Sequence, residues 1–162
     1  MKLENKSELR LDEPIIKGHL DGNHLTITIV VAAYDTKISQ GLLDGCIKGL
    51  NQCNVMNRKV IKTEGSFELP LIAQKAISSS SAVICLGSVI KGDTAHFEYV
   101  CEQTAAGIQR VMLDSGKPVL FGVLTTYNYA QALERCLPDE NNKGLEVAIT
   151  AVKMCTLLNA LN

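Results

Sequence analysis

The sequence predicts an α/β fold in which a small parallel sheet carries helices on both faces, a doubly wound three-layer arrangement. Three observations predict it. The runs LTITIVVAA at 25–33 and AVICLGSVI at 82–90 are nearly unbroken and rich in β-branched residues, the pattern of strands buried on both faces. Between such runs the apolar residues recur at helical spacing. Each run also exits into turn or helix-capping residues, so strand, loop and helix alternate along the chain.

Residues 1–14 read as a flexible polar segment closed by Pro14, and 15–162 as a single domain. Ile15 to Leu20 is a short extended segment followed by the turn signal Asp21-Gly22-Asn23. It can pair with Leu25–Ala33 as a hairpin or, equally, with another chain. From Lys37 to about Cys53, Ile38, Leu42, Cys46, Ile47 and Leu50 describe a helix. Gly41, Gly45 and Gly49 lie on one side of it, each costing about 1 kcal/mol relative to alanine. Either close backbone packing offsets that cost or a well-buried helix tolerates it.

Val55–Thr63 is a weaker strand, and Gly65 to Pro70 is a loop entering a helix, because proline is tolerated in a first turn. That helix runs to the serine cluster 78–81. The run from Ala82 stops at Gly92, where Asp93 and Thr94 read as N-caps of a helix that contains Phe97, Val100, Cys101, Ile108 and Met112. Ser115-Gly116-Lys117-Pro118 stops it, and Val119–Leu124 is the next strand. Asn128 with Gln131 fits a capping box, Pro138–Gly144 is a polar loop, and Leu145 to about Leu161 is a helix. Its polar face is so narrow that it reads as covered on two sides, one of them by a subunit neighbour.

A chain of 162 residues buries enough surface for one proper core, and a net charge of -1 argues against a coat for nucleic acid or acidic membrane. The six cysteines have no metal-ligand spacing and fall mostly on apolar stripes, so they read as buried free thiols of a reducing compartment, the cytoplasm, and no metal site is expected. The start MKLENKSELR is neither a signal peptide nor an anchor, and Leu25–Ala33 is too short to cross a bilayer.

In a doubly wound sheet, ligands sit at the carboxyl ends of the strands, here loops 34–36, 64–68, 88–96 and 121–127. Free N–H groups at the helix amino end after Gly92 make an anion site, flanked by Lys91 and His96. Tyr34, Phe67 and Phe121 lie at predicted strand ends, in a chain with four tyrosines, three phenylalanines and no tryptophan. They are either a stacking slot for a flat heterocycle or, for the phenylalanines, ordinary core. Glu68 is placed to accept hydrogen bonds or to favour a helix amino end. His96 is the best proton-transfer candidate beside the anion loop, against an exposed first-turn histidine with no role. Arg135 and Lys143 are phosphate-binding cations or solvated surface ones.

The ordered motifs GSFELP at 65–70, GSVIKGDTAHFEYVC at 87–101, PVLFGVLTT at 118–126, ALER at 132–135 and NKG at 142–144 resemble lumazine synthases over about residues 25–160. The resemblance implies a flavodoxin-like fold and homopentamers, in many members closed into an icosahedral shell, with active sites between subunits. It implies an enzyme of riboflavin biosynthesis, a transferase that condenses 5-amino-6-(D-ribitylamino)uracil with 3,4-dihydroxy-2-butanone 4-phosphate without metal or cofactor. By position, Tyr34, Ser66, Phe67, Glu68, Ser88, Val89, Ile90 and Phe121 match residues that hold the ribitylaminouracil. Asp93, Thr94 and Arg135 match those that hold the butanone phosphate, with Arg135 reaching in from an adjacent subunit, and His96 matches the proton-transfer residue. Lys91 and Lys143 lie at the site's periphery. The chain departs from the family in Ala33-Tyr34-Asp35, where Arg-Phe-Asn is common, and in Lys91, where arginine is usual. The short spacing from Arg135 to Asn142 leans towards the shell.

Overall fold

The computed structural model describes residues 14–161; the flexible segment expected at 1–14 lies, apart from Pro14, outside the described residues. Among them are the strands β1 (Thr26–Ala32), β2 (Asn57–Thr63), β3 (Ala82–Ile90) and β4 (Val119–Thr126). The α-helices are α1 (Thr36–Gln52), α2 (Leu69–Ala76), α3 (His96–Ser115), α4 (Tyr129–Glu134) and α5 (Lys143–Ala160). All strands run parallel in the order β2-β1-β3-β4.

The two most apolar runs, β1 and β3, are the central strands, and their alternate residues feed two separate cores. Ile27, Ile29 and Val31 with Ala82, Ile84 and Leu86 face one closed by α1 and α5. Val30 and Ala32 with Val83 and Cys85 face one closed by α2 and α3. Three layers result, as the sequence predicts. β2 is an edge strand whose residues are all exposed or half-buried, which explains its weaker pattern.

The hairpin option for 15–20 is not taken. Both edges of β1 are already paired, with β2 on one side and β3 on the other, so no ladder is left for it. The segment instead docks on α5: the His19 N–H donates to Thr156 Oγ1 at 2.9 Å, and that hydroxyl is 3.0 Å from the His19 carbonyl. A Cβ on Gly18 would lie 1.9 Å from the Lys153 carbonyl oxygen.

The glycines of α1 are explained by close packing. A Cβ at Gly41 would meet the Cys136 carbonyl at 2.5 Å, at Gly45 the Asn142 side chain at 2.0 Å, and at Gly49 Ala148 Cβ at 2.8 Å. From the other side, a Cβ on Gly144 would lie 1.9 Å from the Leu42 carbonyl oxygen. α5 is therefore covered by the sheet and by α1 of the same chain, and its apolar girth by itself requires no neighbour. The helix also starts earlier than its sequence suggests. Asn142, buried, is its N-cap: Oδ1 accepts from the N–H groups of Gly144 at 2.8 Å and Leu145 at 3.2 Å, while Nδ2 donates to the carbonyls of Gly41 and Leu137 at 3.0 and 2.8 Å.

The other ends follow local chemistry. Asp35 caps α1, its Oδ1 accepting from the Ile38 N–H at 3.1 Å. Asn128 Oδ1 accepts from the Gln131 N–H at 2.9 Å, while the Gln131 side chain reaches back to the Tyr127 N–H. Gly116 ends α3 with a left-handed φ of 62°.

All six cysteines are free, and five are buried. Burial alone pushes the Cys85 thiol from 9.0 up to about 12. As pH rises, the unfolded chain loses this proton before the folded one does. The stability it supports is thus complete below pH 9 and falls between there and about 12, by about 1.4 kcal/mol per pH unit.

Two outcomes are expected. Gly144→Ala lowers unfolding free energy by at least about 3 kcal/mol in urea, whereas Gly92→Ala, whose added methyl meets nothing within 4 Å, stays within about 1 kcal/mol of the parent. Urea midpoints followed from pH 8.5 to 11 fall, and the fall is shallower in Cys85→Val; an identical slope would mean the thiol titrates as if exposed.

Candidate active site

The strand order creates a crevice where chain directions diverge. β1 pairs with β3 from Ile27 opposite Ala82 to Val31 opposite Leu86, whereas β3 runs on to Ile90 beside β4 alone. Gly87–Ile90 therefore stand beyond the end of β1. α1 leaves β1 towards one face of the sheet and α3 leaves β3 towards the other, the switch point at which open α/β sheets bind ligands.

One wall is the 3₁₀ turn Ser66–Glu68 that precedes α2. Buried Ser66 donates from Oγ to the Ser88 carbonyl at 3.3 Å, and Thr104 Oγ1 of α3 donates to the Ser66 carbonyl at 3.2 Å. The turn comes this close because residue 87 is glycine: a Cβ there would lie 2.7 Å from Ser66 Oγ. Glu68 closes the turn on itself, its Oε2 accepting from the Gly65 N–H at 3.1 Å. Phe67 is 55% exposed and Tyr34, two residues beyond β1, is 89% exposed, so neither is core. Val89 and Ile90, half-buried at the carboxyl end of β3, face opposite sides of the sheet, Val89 towards the core closed by α2 and α3 and Ile90 towards that closed by α1 and α5.

Phe121 is placed differently from expectation. It is the third residue of β4, paired with Cys85, and 39% exposed on the edge strand. It is not a strand end, because β4 runs on past the expected Leu124 through Thr125 and Thr126, and not core, because β4 is an edge strand.

The loop Gly92–Ala95 leads into α3 at His96. Asp93 and Thr94 do not cap this helix, contrary to their local signal. A turn at 93–95 sets the N-cap at Ala95, which has no side-chain capping bond. Asp93, Thr94 and His96 are all exposed. The first-turn N–H groups thus keep their positive end without a side-chain acceptor from the cap, as an anion site requires.

Lys91 is engaged more fully than a flanking cation would be. Its N–H donates to the Thr126 carbonyl at 2.9 Å, and its Nζ lies 2.9 Å from Glu98 Oε1. The same Nζ is 5.8 Å from the Phe97 ring centroid and 5.7 Å from that of Tyr127. The Glu98 carboxylate holds the Lys91 ammonium above its ordinary range, and Lys91 holds Glu98 below its own. Phe97, Glu98 and Tyr127 escaped the sequence reading, since Phe97 fits a helix stripe and a Lys–Glu pair seven residues apart has no periodic signature.

Arg135 ends α4, its Nη1 donating to the Gln131 carbonyl at 2.7 Å. The Lys143 N–H donates to the Arg135 carbonyl at 2.9 Å, and Lys143 Nζ lies 2.5 Å from Glu146 Oε2. The two cations thus form one unit beside the buried Asn142. Their described polar contacts stay within α4, α5 and the loop between them, and do not join residues 92–95. Asp35, the added charge beside Tyr34, is spent on capping α1, a task asparagine does equally well.

Among the described residues no group of three or more His, Cys, Asp or Glu is arranged to hold a metal ion, and no helix is long and apolar enough to cross a membrane. A family model described as 6,7-dimethyl-8-ribityllumazine synthase matches residues 24–159, which include the whole sheet and every loop of the crevice. With its parallel sheet layered between helices in the flavodoxin-like manner, and with that match over most of its 162 residues, the chain belongs to the 6,7-dimethyl-8-ribityllumazine synthase family, transferases of riboflavin biosynthesis.

Proposed function

We propose that this chain condenses 5-amino-6-(D-ribitylamino)uracil with 3,4-dihydroxy-2-butanone 4-phosphate to 6,7-dimethyl-8-ribityllumazine, releasing phosphate and water. The observation that carries this reading is a single sheet edge that presents exposed aromatics, Tyr34 and Phe67, together with a helix amino end whose cap lacks a side-chain acceptor. A planar pyrimidine suits the first feature and a phosphate the second.

Tyr34 and Phe67 bound the ring. Ser66 and Ser88, already bonded to each other, and Glu68 with Val89 and Ile90 line the slot for the uracil and its ribityl chain. Asp93 and Thr94 carry the loop around the phosphate, whose departure is eased when its growing charge is met by first-turn amides and an arginine. His96, first residue of α3, exchanges protons during amine attack on the ketone, dehydration and ring closure. Holding two substrates together supplies much of the remaining acceleration, so the reading requires no cofactor or metal.

Phe121 and Arg135 enter the reading through assembly. Phe121 lies partway along an edge strand, and the bonds of Arg135 stay within its own α4 region. We assign both to the crevice of an adjacent copy in a homopentamer or icosahedral shell, with Lys143 supporting Arg135. The charge of -1 suits small substrates better than nucleic acid or membrane, and the free thiols suit the cytoplasm.

Mixing the two substrates with the protein is expected to generate lumazine absorbance at a rate proportional to enzyme. His96→Ala is expected to lower kcat by about 10²-fold while product still binds, as fluorescence titration would show. Ligand binding without turnover in the parent protein would instead make it a lumazine-binding module, and assembly with neither would make it a scaffold. Sedimentation at working concentration is expected to give a pentamer or a larger particle. Mixing Arg135→Ala with His96→Ala subunits is expected to restore part of the activity, because each supplies what its neighbour lacks; no recovery would place Arg135 in its own crevice.

A further inference from the structure

We propose that Lys91 is a positioning residue, an ammonium clamp that closes the loop Gly92–Ala95 and so holds the phosphate subsite in one geometry, rather than a direct contact to the phosphate. The inference rests on the reaction proposed above for its substrate and on the observed contacts for the clamp itself.

The loop has two ends, and Lys91 touches what lies at both. On one side its backbone makes the closing bond from β3 to β4, Lys91 N–H to Thr126 carbonyl at 2.9 Å. On the other its side chain crosses the loop to the first turn of α3, where Nζ meets Glu98 Oε1 at 2.9 Å. The ammonium also lies within 6 Å of two aromatic rings, Phe97 from α3 and Tyr127 from the end of β4. Those rings pack on each other, with centroids 6.3 Å apart and planes tilted by 38°. Three elements that bound the loop are therefore joined through one nitrogen.

Among the described residues the loop has no comparable fastening of its own. Its glycine meets no atom within 4 Å of where a Cβ would stand, and Ala95 offers the helix no capping side chain. Charge gives a second reason for the clamp. Glu98 lies in the first turn of α3, where an unpaired carboxylate would oppose an incoming phosphate, and Lys91 neutralises it in place. An ammonium so engaged has less to offer the phosphate directly.

Glu98→Gln separates the two roles. If Lys91 were a direct contact, this change would free its charge and tighten phosphate binding. As a clamp, it loosens the loop, so KM for the butanone phosphate and the dissociation constant for inorganic phosphate both rise, by up to about fivefold, the ceiling for a surface ion pair, with kcat within about twofold. Lys91→Met is expected to raise both at least as much, because it also leaves the Glu98 carboxylate unpaired, the double variant no more than Glu98→Gln alone, and Lys91→Arg to restore most of the loss, since a guanidinium also pairs with carboxylate and stacks on rings. Hydrogen exchange at the amides of 92–97 is expected to quicken in Glu98→Gln, Lys91→Met and Tyr127→Leu. Tighter phosphate binding or unchanged exchange in Glu98→Gln would overturn the clamp. Exchange and inorganic phosphate binding need no turnover, so they decide it even if the parent protein makes no lumazine, whereas lumazine formation with unaltered exchange would leave the reaction standing and the clamp lost.

Discussion

The close approach of α5 to α1 is the contact on which the remaining architecture rests. Helix axes separated by ordinary side chains would leave room for a Cβ at each crossing point, yet at Gly45 and Gly144 an added Cβ would come within 2.0 Å of a neighbouring atom. The absent side chains let Asn142 enter the seam, where one amide caps α5 and also satisfies carbonyls of α1 and of the preceding loop. A buried amide with every bond made is inexpensive to keep and costly to disturb, because each partner would be left desolvated. The seam also fixes the chain from Arg135 to Lys143, so the cations proposed to serve a neighbouring crevice stand on a rigid support.

The same economy of side chains shapes the crevice. Gly87 admits the Ser66 turn against β3, and Thr104 ties that turn to α3, so helices on one face of the sheet are linked through the wall of the site. The central strands are buried on both faces over most of their length, while Tyr34 after β1 and Phe67 after β2 stay open to solvent. A site assembled this way has rigid backbone beneath and exposed functional groups above, which suits the condensation proposed above.

Electrostatics divides along the same line. In the two cores the thiols of Cys46 and Cys85 are neutral, each pushed up to about 12 chiefly by burial. At the rim, Lys91 and Glu98 are charged and exposed, and each stabilises the ionised form of the other. This ion pair thus borders the loop that the phosphate is proposed to approach.

Much of this was legible in the chain. The apolar runs at 25–33 and 82–90 marked the central strands because burial on both faces leaves no polar alternation, and Gly116 marked the end of α3 because a left-handed residue there favours glycine. The motifs at 65–70, 87–101 and 142–144 pointed to the family that the match over 24–159 shows. Local signals failed where a distant partner decides the outcome. Asp93 and Thr94 look like caps, but the turn at 93–95 delays the helix past them, and Asn142 looks like loop until α1 supplies Gly41 and Gly45 to receive it. Phe121 looked like a strand end because nothing in Thr125-Thr126 says whether a ladder partner continues, and β3 provides one. Periodicity and turn chemistry are properties of neighbours in sequence, so the sequence by itself determined the elements and the fold class. Which strand is an edge, which glycine faces a backbone and which charge finds its counter-ion depend on surfaces brought together only by folding, and these the tertiary structure decided.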